Sequence, residues 1–132
     1  ACKPKGIVQV IHGFGEHSRR YFHMIVKFMD AGYIVAADDH VGHGKTAMYN
    51  DTWGDWGDAG FHTMMEDEHK LKEIVSKMYP DLPYFMFGHS MGSLLREILL
   101  QNMEKNLQES QSVVQLVISV VLQKLNLPYW LL

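Results

Sequence analysis

Cysteine is nearly absent. Cys2 stands alone, so no internal disulfide and no cysteine-rich metal site can form, and a reducing compartment fits. No apolar run is long enough to cross a bilayer; the richest, Val113 to Leu122, is broken by Gln115 and Ser119. The segment Ala1 to Gly6 has no apolar stretch of the kind a secretory leader carries. Excess charge is missing too: 12 basic residues are spread among 15 acidic ones, giving a net charge of -3. Without a basic stripe, nucleic acid is not an expected partner. No internal repeat and no low-complexity linker occurs. These absences lead us to expect a cytoplasmic protein without a transmembrane segment, in solution or peripheral at membranes.

What remains is 132 residues, 47% of them hydrophobic, enough for a single domain over 1–132 and too few for two. Short apolar runs alternate with amphipathic stretches. Gly6 to Ile11 reads as a strand buried on both faces. Helical spacing follows over 18–31, with Tyr21, Ile25, Phe28 and Met29 on one face and Gly32 just past its end. Tyr33 to Ala37 reads as a second strand. Residues 38–62 look like loop. A helix is predicted from Met64 to Met78, with Leu71, Ile74, Val75 and Met78 as its apolar stripe. Glu66, Asp67 and Glu68 then sit toward the positive end of its dipole. Tyr84 to Phe87 is a third strand. Ser90 to Asn102 is helical, with Leu94, Leu95, Ile98 and Leu99 inward, and Val113 to Val121 is a fourth strand. Strands alternating with helices predict an α/β fold, a mostly parallel sheet flanked by helices.

Gly88-His89-Ser90-Met91-Gly92 is a G-x-S-x-G segment with an apolar strand before it and a helix after it. In that setting the turn is sharp and strained, small residues flank it, and the hydroxyl of Ser90 stands above the end of the sheet. Met91 can offer its backbone N–H to a developing oxyanion. A serine that only caps a helix is the plainer alternative. His89 reads as support, not as a base.

His12-Gly13-Phe14-Gly15-Glu16-His17 follows the first strand. Its glycines let the backbone fold over the sheet end, and the N–H of Phe14 is the candidate second oxyanion donor. Asp38, Asp39, His40 and His43, or His62 with Asp67, could pass for a metal site. No third or fourth ligand has diagnostic spacing, so the expectation is no metal. Asp39, His40 and His43 are read instead as bracing for a tight glycine loop. Trp53 to Gly57 is a loop that either meets substrate or packs on the body.

Three blocks in this order, His12 to Tyr21, Asp39 to Gly44 and Gly88 to Gly92, resemble the monoacylglycerol lipase and lysophospholipase family. That family is grouped with the serine aminopeptidases among the α/β-hydrolases. The resemblance covers residues 5–100 and is weaker over 113–121. It implies a partial α/β-hydrolase fold: the N-terminal, nucleophile half, without lid or C-terminal part. Ser90 would be the nucleophile and Phe14 and Met91 the oxyanion hole. His12, Gly13, Gly15, Glu16, His17, Asp39, His40, His43, Gly88, His89 and Gly92 would be the supporting loop residues. Val41 and Lys45 depart from the family pattern. A small, lipid-like acyl ester is the implied substrate, cleaved through an acyl-enzyme with no cofactor.

All eight histidines precede Ser90, and no aspartate follows it. The order of the triad in this fold, Ser then acid then His, is therefore not completed within these residues. An aminopeptidase, a rearranged site using His12 or His17, and a non-catalytic binding protein stay open as alternatives. A sheet ending after four strands would leave an edge prone to self-association.

Overall fold

The computed structural model describes residues 3–107. Three strands form one parallel sheet in the order β2-β1-β3: β1 (Ile7–Ile11), β2 (Ile34–Ala37) and β3 (Tyr84–Gly88). The first strand in the chain is thus the central one. Every residue of Ile-Val-Gln-Val-Ile is buried, as a strand covered on both faces requires. A one-turn 3-10 segment (Ser18–Tyr21) leads into α1 (Phe22–Asp30); α2 (Gly44–Asn50) and α3 (Phe61–Met78) lie between β2 and β3, and α4 (Met91–Leu107) follows β3.

Alternation along the strands sorts the core into two layers. Val8 and Val10 stand beside Phe85 and Phe87 of β3 and pack with Met24 and Phe28 of α1 and with Tyr21. Ile7 and Ile11 stand with Tyr84 and Met86 on the opposite face, against Met64 and Val75 of α3 and Leu95 and Leu99 of α4. Helices on both faces of a parallel sheet are the α/β architecture expected.

Several local expectations change. Residues 44–50, expected as loop, form α2. This helix buries only Ala47, so it shows no apolar stripe; it is nucleated by Asp39, whose carboxylate accepts the Lys45 N–H at 2.8 Å. On α1 Met24 is buried beside Phe28, and Met29 is exposed. On α3, Ile74 and Met78 are exposed while Met64, Glu68 and Val75 are buried. Glu68 therefore does not complement the helix dipole from solvent; it faces the sheet. Leu94 of α4 is exposed as well. Gly32 does end α1: the Gly32 N–H donates to Met29 and the Tyr33 N–H to Phe28, closing the helix with paired reverse bonds. The expected strand at 113–121 lies outside the described residues. No helix among the described residues is long and apolar enough to cross a membrane.

Candidate active site

The Ser90 turn is made by backbone crowding. β3 ends at Gly88, α4 starts at Met91, and Ser90 between them has φ +53, one of two non-glycine residues at positive φ among those described. Such a left-handed residue costs on the order of 1–3 kcal/mol. It is held there by its neighbours. The His89 N–H donates to Ile11 at 3.2 Å, prolonging the β1–β3 ladder by one residue. The Gly92 N–H donates to His89 and the Ser93 N–H to Ser90, each at 2.9 Å, and the Ser93 hydroxyl donates to Gly88 at 2.7 Å. A Cβ on Gly88 would collide with the Gly92 carbonyl, and one on Gly92 with the Ile11 carbonyl. Both glycines exist so that α4 can pass this close to β1 and β3. Ser90 itself is exposed.

Parallel pairing of Ile11 with Gly88 brings the loop after β1 to the same end of the sheet. A Cβ on Gly13 would lie 3.2 Å from the Ser90 Cβ and 3.1 Å from the His89 carbonyl oxygen, so this loop lies directly against the turn. Glu16 organises it. Its carboxylate accepts from the Gly13 N–H at 3.0 Å and the Tyr21 hydroxyl at 2.5 Å, pairs with Arg20 at 3.1 Å, and faces His89 Nδ1 at 3.5 Å. Burial opposes ionisation of Glu16, but the Tyr21 and Gly13 donors and the Arg20 charge outweigh it and hold the carboxyl below its usual range. Burial, aided by Glu16, pushes the Tyr21 hydroxyl upward. Among the described residues neither the Phe14 N–H nor the Met91 N–H donates to a protein acceptor. The Phe14 side chain is exposed and meets His43 and Trp56 edge-on, with ring centroids 5.8 and 5.7 Å away. Trp56 packs toward the core, and Trp53 is exposed.

The histidines form a buried brace. His12 Nδ1 is 2.8 Å from the Gly13 carbonyl; its Nε2 accepts the His40 N–H at 3.0 Å. Burial, then the neighbouring His40, drives the His12 pKa down to about 4. His40 Nε2 donates to the His12 carbonyl at 3.1 Å, and the two rings lie 3.8 Å apart. His43 Nδ1 donates to Val41 at 2.9 Å. Asp39 accepts from the Ser18 N–H and hydroxyl, each at 2.7 Å, as well as from Lys45; these donors overcome burial and keep it ionised. His17 and Gly15 are exposed, and His17 caps the 3-10 turn without a side-chain bond. The bracing thus gathers His12, Gly13, Glu16, Asp39, His40, His43 and His89 and leaves out the His17 side chain.

A further polar group was not singled out from the sequence: Gln9, Glu68 and Tyr84, joined to Asp38 and His40. The Gln9 amide donates to the Glu68 carboxylate and carbonyl, and the Tyr84 hydroxyl donates to Gln9 at 2.6 Å. Glu68 Oε1 and Asp38 Oδ2 lie 3.3 and 3.5 Å from His40 Nδ1. Burial pushes the Glu68 carboxyl strongly upward, and the Asp38 charge adds to it. For Asp38 burial acts the same way, but His40 prevails and lowers it. Two sequence signals mark this group: a glutamine in the middle of an apolar strand, and a glutamate four residues after buried Met64. A cavity of about 460 Å³ lies between α3 and α4, lined by His62, Met65, His69, Leu99 and Asn102 among others, away from the Ser90 turn.

Comparison with known proteins agrees with this architecture. The sequence profile of the hydrolase family described as serine aminopeptidase, S33, matches residues 2–120. Human monoglyceride lipase is 38% identical over 92 residues, covering 70% of this chain and 29% of the lipase. The monoacylglycerol lipase of Mycolicibacterium smegmatis is 37% identical over 89 residues, 67% of this chain and 30% of that protein. Among solved structures, a highly thermostable carboxyl esterase from Bacillus coagulans in complex with glycerol superposes with a TM-score of 0.75 at 66% identity, over 78% of this chain and 33% of the esterase. The chain spans about a third of the length of these proteins.

Proposed function

This chain belongs to the serine aminopeptidase S33 family of α/β-hydrolases, related to monoacylglycerol lipases and esterases, and from that premise we propose that its complete protein is a serine esterase with Ser90 as nucleophile. One observation carries the reading: Ser90 is exposed in a left-handed turn between β3 and α4, with the Gly13 loop packed against it. Ser90 Oγ attacks the ester carbonyl and forms the acyl bond. The free N–H groups of Phe14 and Met91 receive the charge that develops on the carbonyl oxygen, where losing one donor costs about 3 kcal/mol. The alcohol leaves, and water releases the acid.

A hydroxyl needs an oriented base. His12 does not serve: it is buried, both ring nitrogens are engaged, and its pKa of about 4 makes it a poor proton acceptor at neutral pH. We assign base and orienting acid to the part of the protein that lies beyond the matched third of the relatives, and this chain to the nucleophile half of the domain.

The relatives' names favour an acylglycerol as substrate, and a related carboxyl esterase and a related Bacillus subtilis phospholipase extend the class to other carboxylic esters, among which we count lysophospholipids. In the full-length protein, Ser90→Ala is expected to abolish fluorophosphonate labelling and to lower kcat on a monoacylglycerol by about 10⁶-fold, with the fold intact by circular dichroism. Normal turnover by that variant would sink the assignment. Hydrolysis of aminoacyl amides in place of acyl esters would move the reading to an aminopeptidase, and failure of the full-length protein to label would move it to a binding role.

A further inference from the structure

We propose that Asp38, His40 and Glu68 form a binding site for a divalent transition metal of the zinc type, separate from Ser90. The ligand atoms come from the end of β2 and from the inner face of α3. One atom from each residue lies within 4.8 Å of the others. The two distances that share His40 Nδ1 are 3.3 Å to Glu68 and 3.5 Å to Asp38. Zinc bonds to nitrogen and oxygen run about 2.0–2.2 Å, so ligand atoms at the corners of a tetrahedron stand roughly 3.3–3.6 Å apart. The two sides that meet at His40 Nδ1 have the length of a tetrahedral edge, and the third side, Asp38 to Glu68, is no longer than 4.8 Å.

Three independent features point into it. His40 and Glu68 are completely buried, and two corners of the triangle, His40 Nδ1 and Glu68 Oε1, have no hydrogen-bond partner. Buried polar atoms are rarely left so, and two that face each other call for a common partner. The supporting bonds also match those of a metal centre. His40 donates its other ring N–H to the His12 carbonyl, which fixes Nδ1 as the atom with the free lone pair, while Gln9 holds the second oxygen of Glu68. Finally the charge is unbalanced. Among the described residues no lysine or arginine pairs with Asp38 or Glu68. A buried and a part-buried carboxylate beside one imidazole are offset by a single divalent cation. Asp38 keeps 27% of its side chain exposed, leaving an entry and a place for a water as fourth ligand.

The role is structural. The ion fastens the loop after β2 to α3 and, through His40, steadies His12 at the root of the Gly13 loop.

The competing neutraliser is a proton on Glu68, and the experiment separates the two without any activity assay. Full-length protein purified without chelator is expected to retain one equivalent of zinc per chain through desalting. At a hundredfold excess over Kd, zinc raises the thermal midpoint by about 5 °C, and a chelator reverses it. Cobalt exchanged into the site gives the visible bands of a four-coordinate nitrogen and oxygen environment. Glu68→Gln keeps the shape and the Gln9 contact, removes the charge, and is expected to lose both the cobalt bands and the zinc-dependent shift while still melting cooperatively. Wild-type protein that retains no zinc and melts alike in zinc and in chelator overturns the proposal in favour of the proton. Cobalt bands that persist unchanged in both Glu68→Gln and Asp38→Asn overturn it in favour of surface histidines.

Discussion

The two faces of this sheet are built on different rules. Toward α1 the contact is dry: Val8, Val10, Phe87, Tyr21, Met24 and Phe28 meet with no buried charge among them. Toward α3 the same strand presents Gln9 between Ile7 and Ile11, and the helix answers with Glu68. One face is satisfied by volume, since apolar side chains of the right size are largely exchangeable. The other is satisfied by identity, because each buried donor and acceptor depends on a named partner.

The largest expected effect lies on the dry face. Phe28→Ala in the full-length protein should cost about 3–5 kcal/mol in chemical denaturation, as a cavity opens beneath Val8 and Val10, and Phe28→Leu should recover most of it. On the polar face the rule reverses. Gln9→Leu nearly conserves volume, yet it strands the Tyr84 hydroxyl and the Glu68 carboxyl and should cost about 1–3 kcal/mol. Adding Tyr84→Phe removes one stranded group, so the double variant should be more stable than the sum of the singles predicts, with a coupling of about 1 kcal/mol. Simple additivity there would erase the distinction between the faces.

The smallest effect tests whether the identity rule extends to the Ser90 end of the sheet. Glu16 is held below its usual 4.5, so its contribution is present above that pH and is lost as pH falls through the lower, folded value. Hydrogen exchange at the Gly13 amide should therefore quicken on acidification below about pH 4.5 in the wild type, relative to its intrinsic rate. Glu16→Gln should flatten that dependence and cost about 1 kcal/mol.

The dry face and the Ser90 turn were largely legible in the sequence; the polar face was not. Strand positions follow from uninterrupted apolar runs, and G-x-S-x-G flanked by strand and helix states its own geometry, because only glycine fits at Gly88 and Gly92. Glu16 stands out through the family resemblance and Asp39 through its glycine-rich setting, and the structure supplies the bonds that explain both. The burial of Glu68 is not legible because glutamate in a helix is normally solvated, and its partner Gln9 lies 59 residues away in sequence. Spacing alone does not reach the grouping of Glu68 with Asp38 and His40 either, because Glu68 sits on another element. The α2 helix escaped because its start is stabilised by Asp39 and its interior buries one alanine, neither of which leaves a periodic trace. Met29, Ile74, Met78 and Leu94 show the opposite error, apolar residues assigned inward that the structure leaves exposed.

The central position of β1 has a consequence for biosynthesis. This strand leaves the ribosome before both of its neighbours, and one of them is β3; Tyr84 reaches Gln9 across a separation of 75 residues. At translation speeds of about 5–20 residues per second, an apolar strand with a glutamine at its centre waits roughly 4–15 s for that partner. Nascent chains of this protein should thus engage a holding chaperone early and let go only once the second glycine of the turn has emerged.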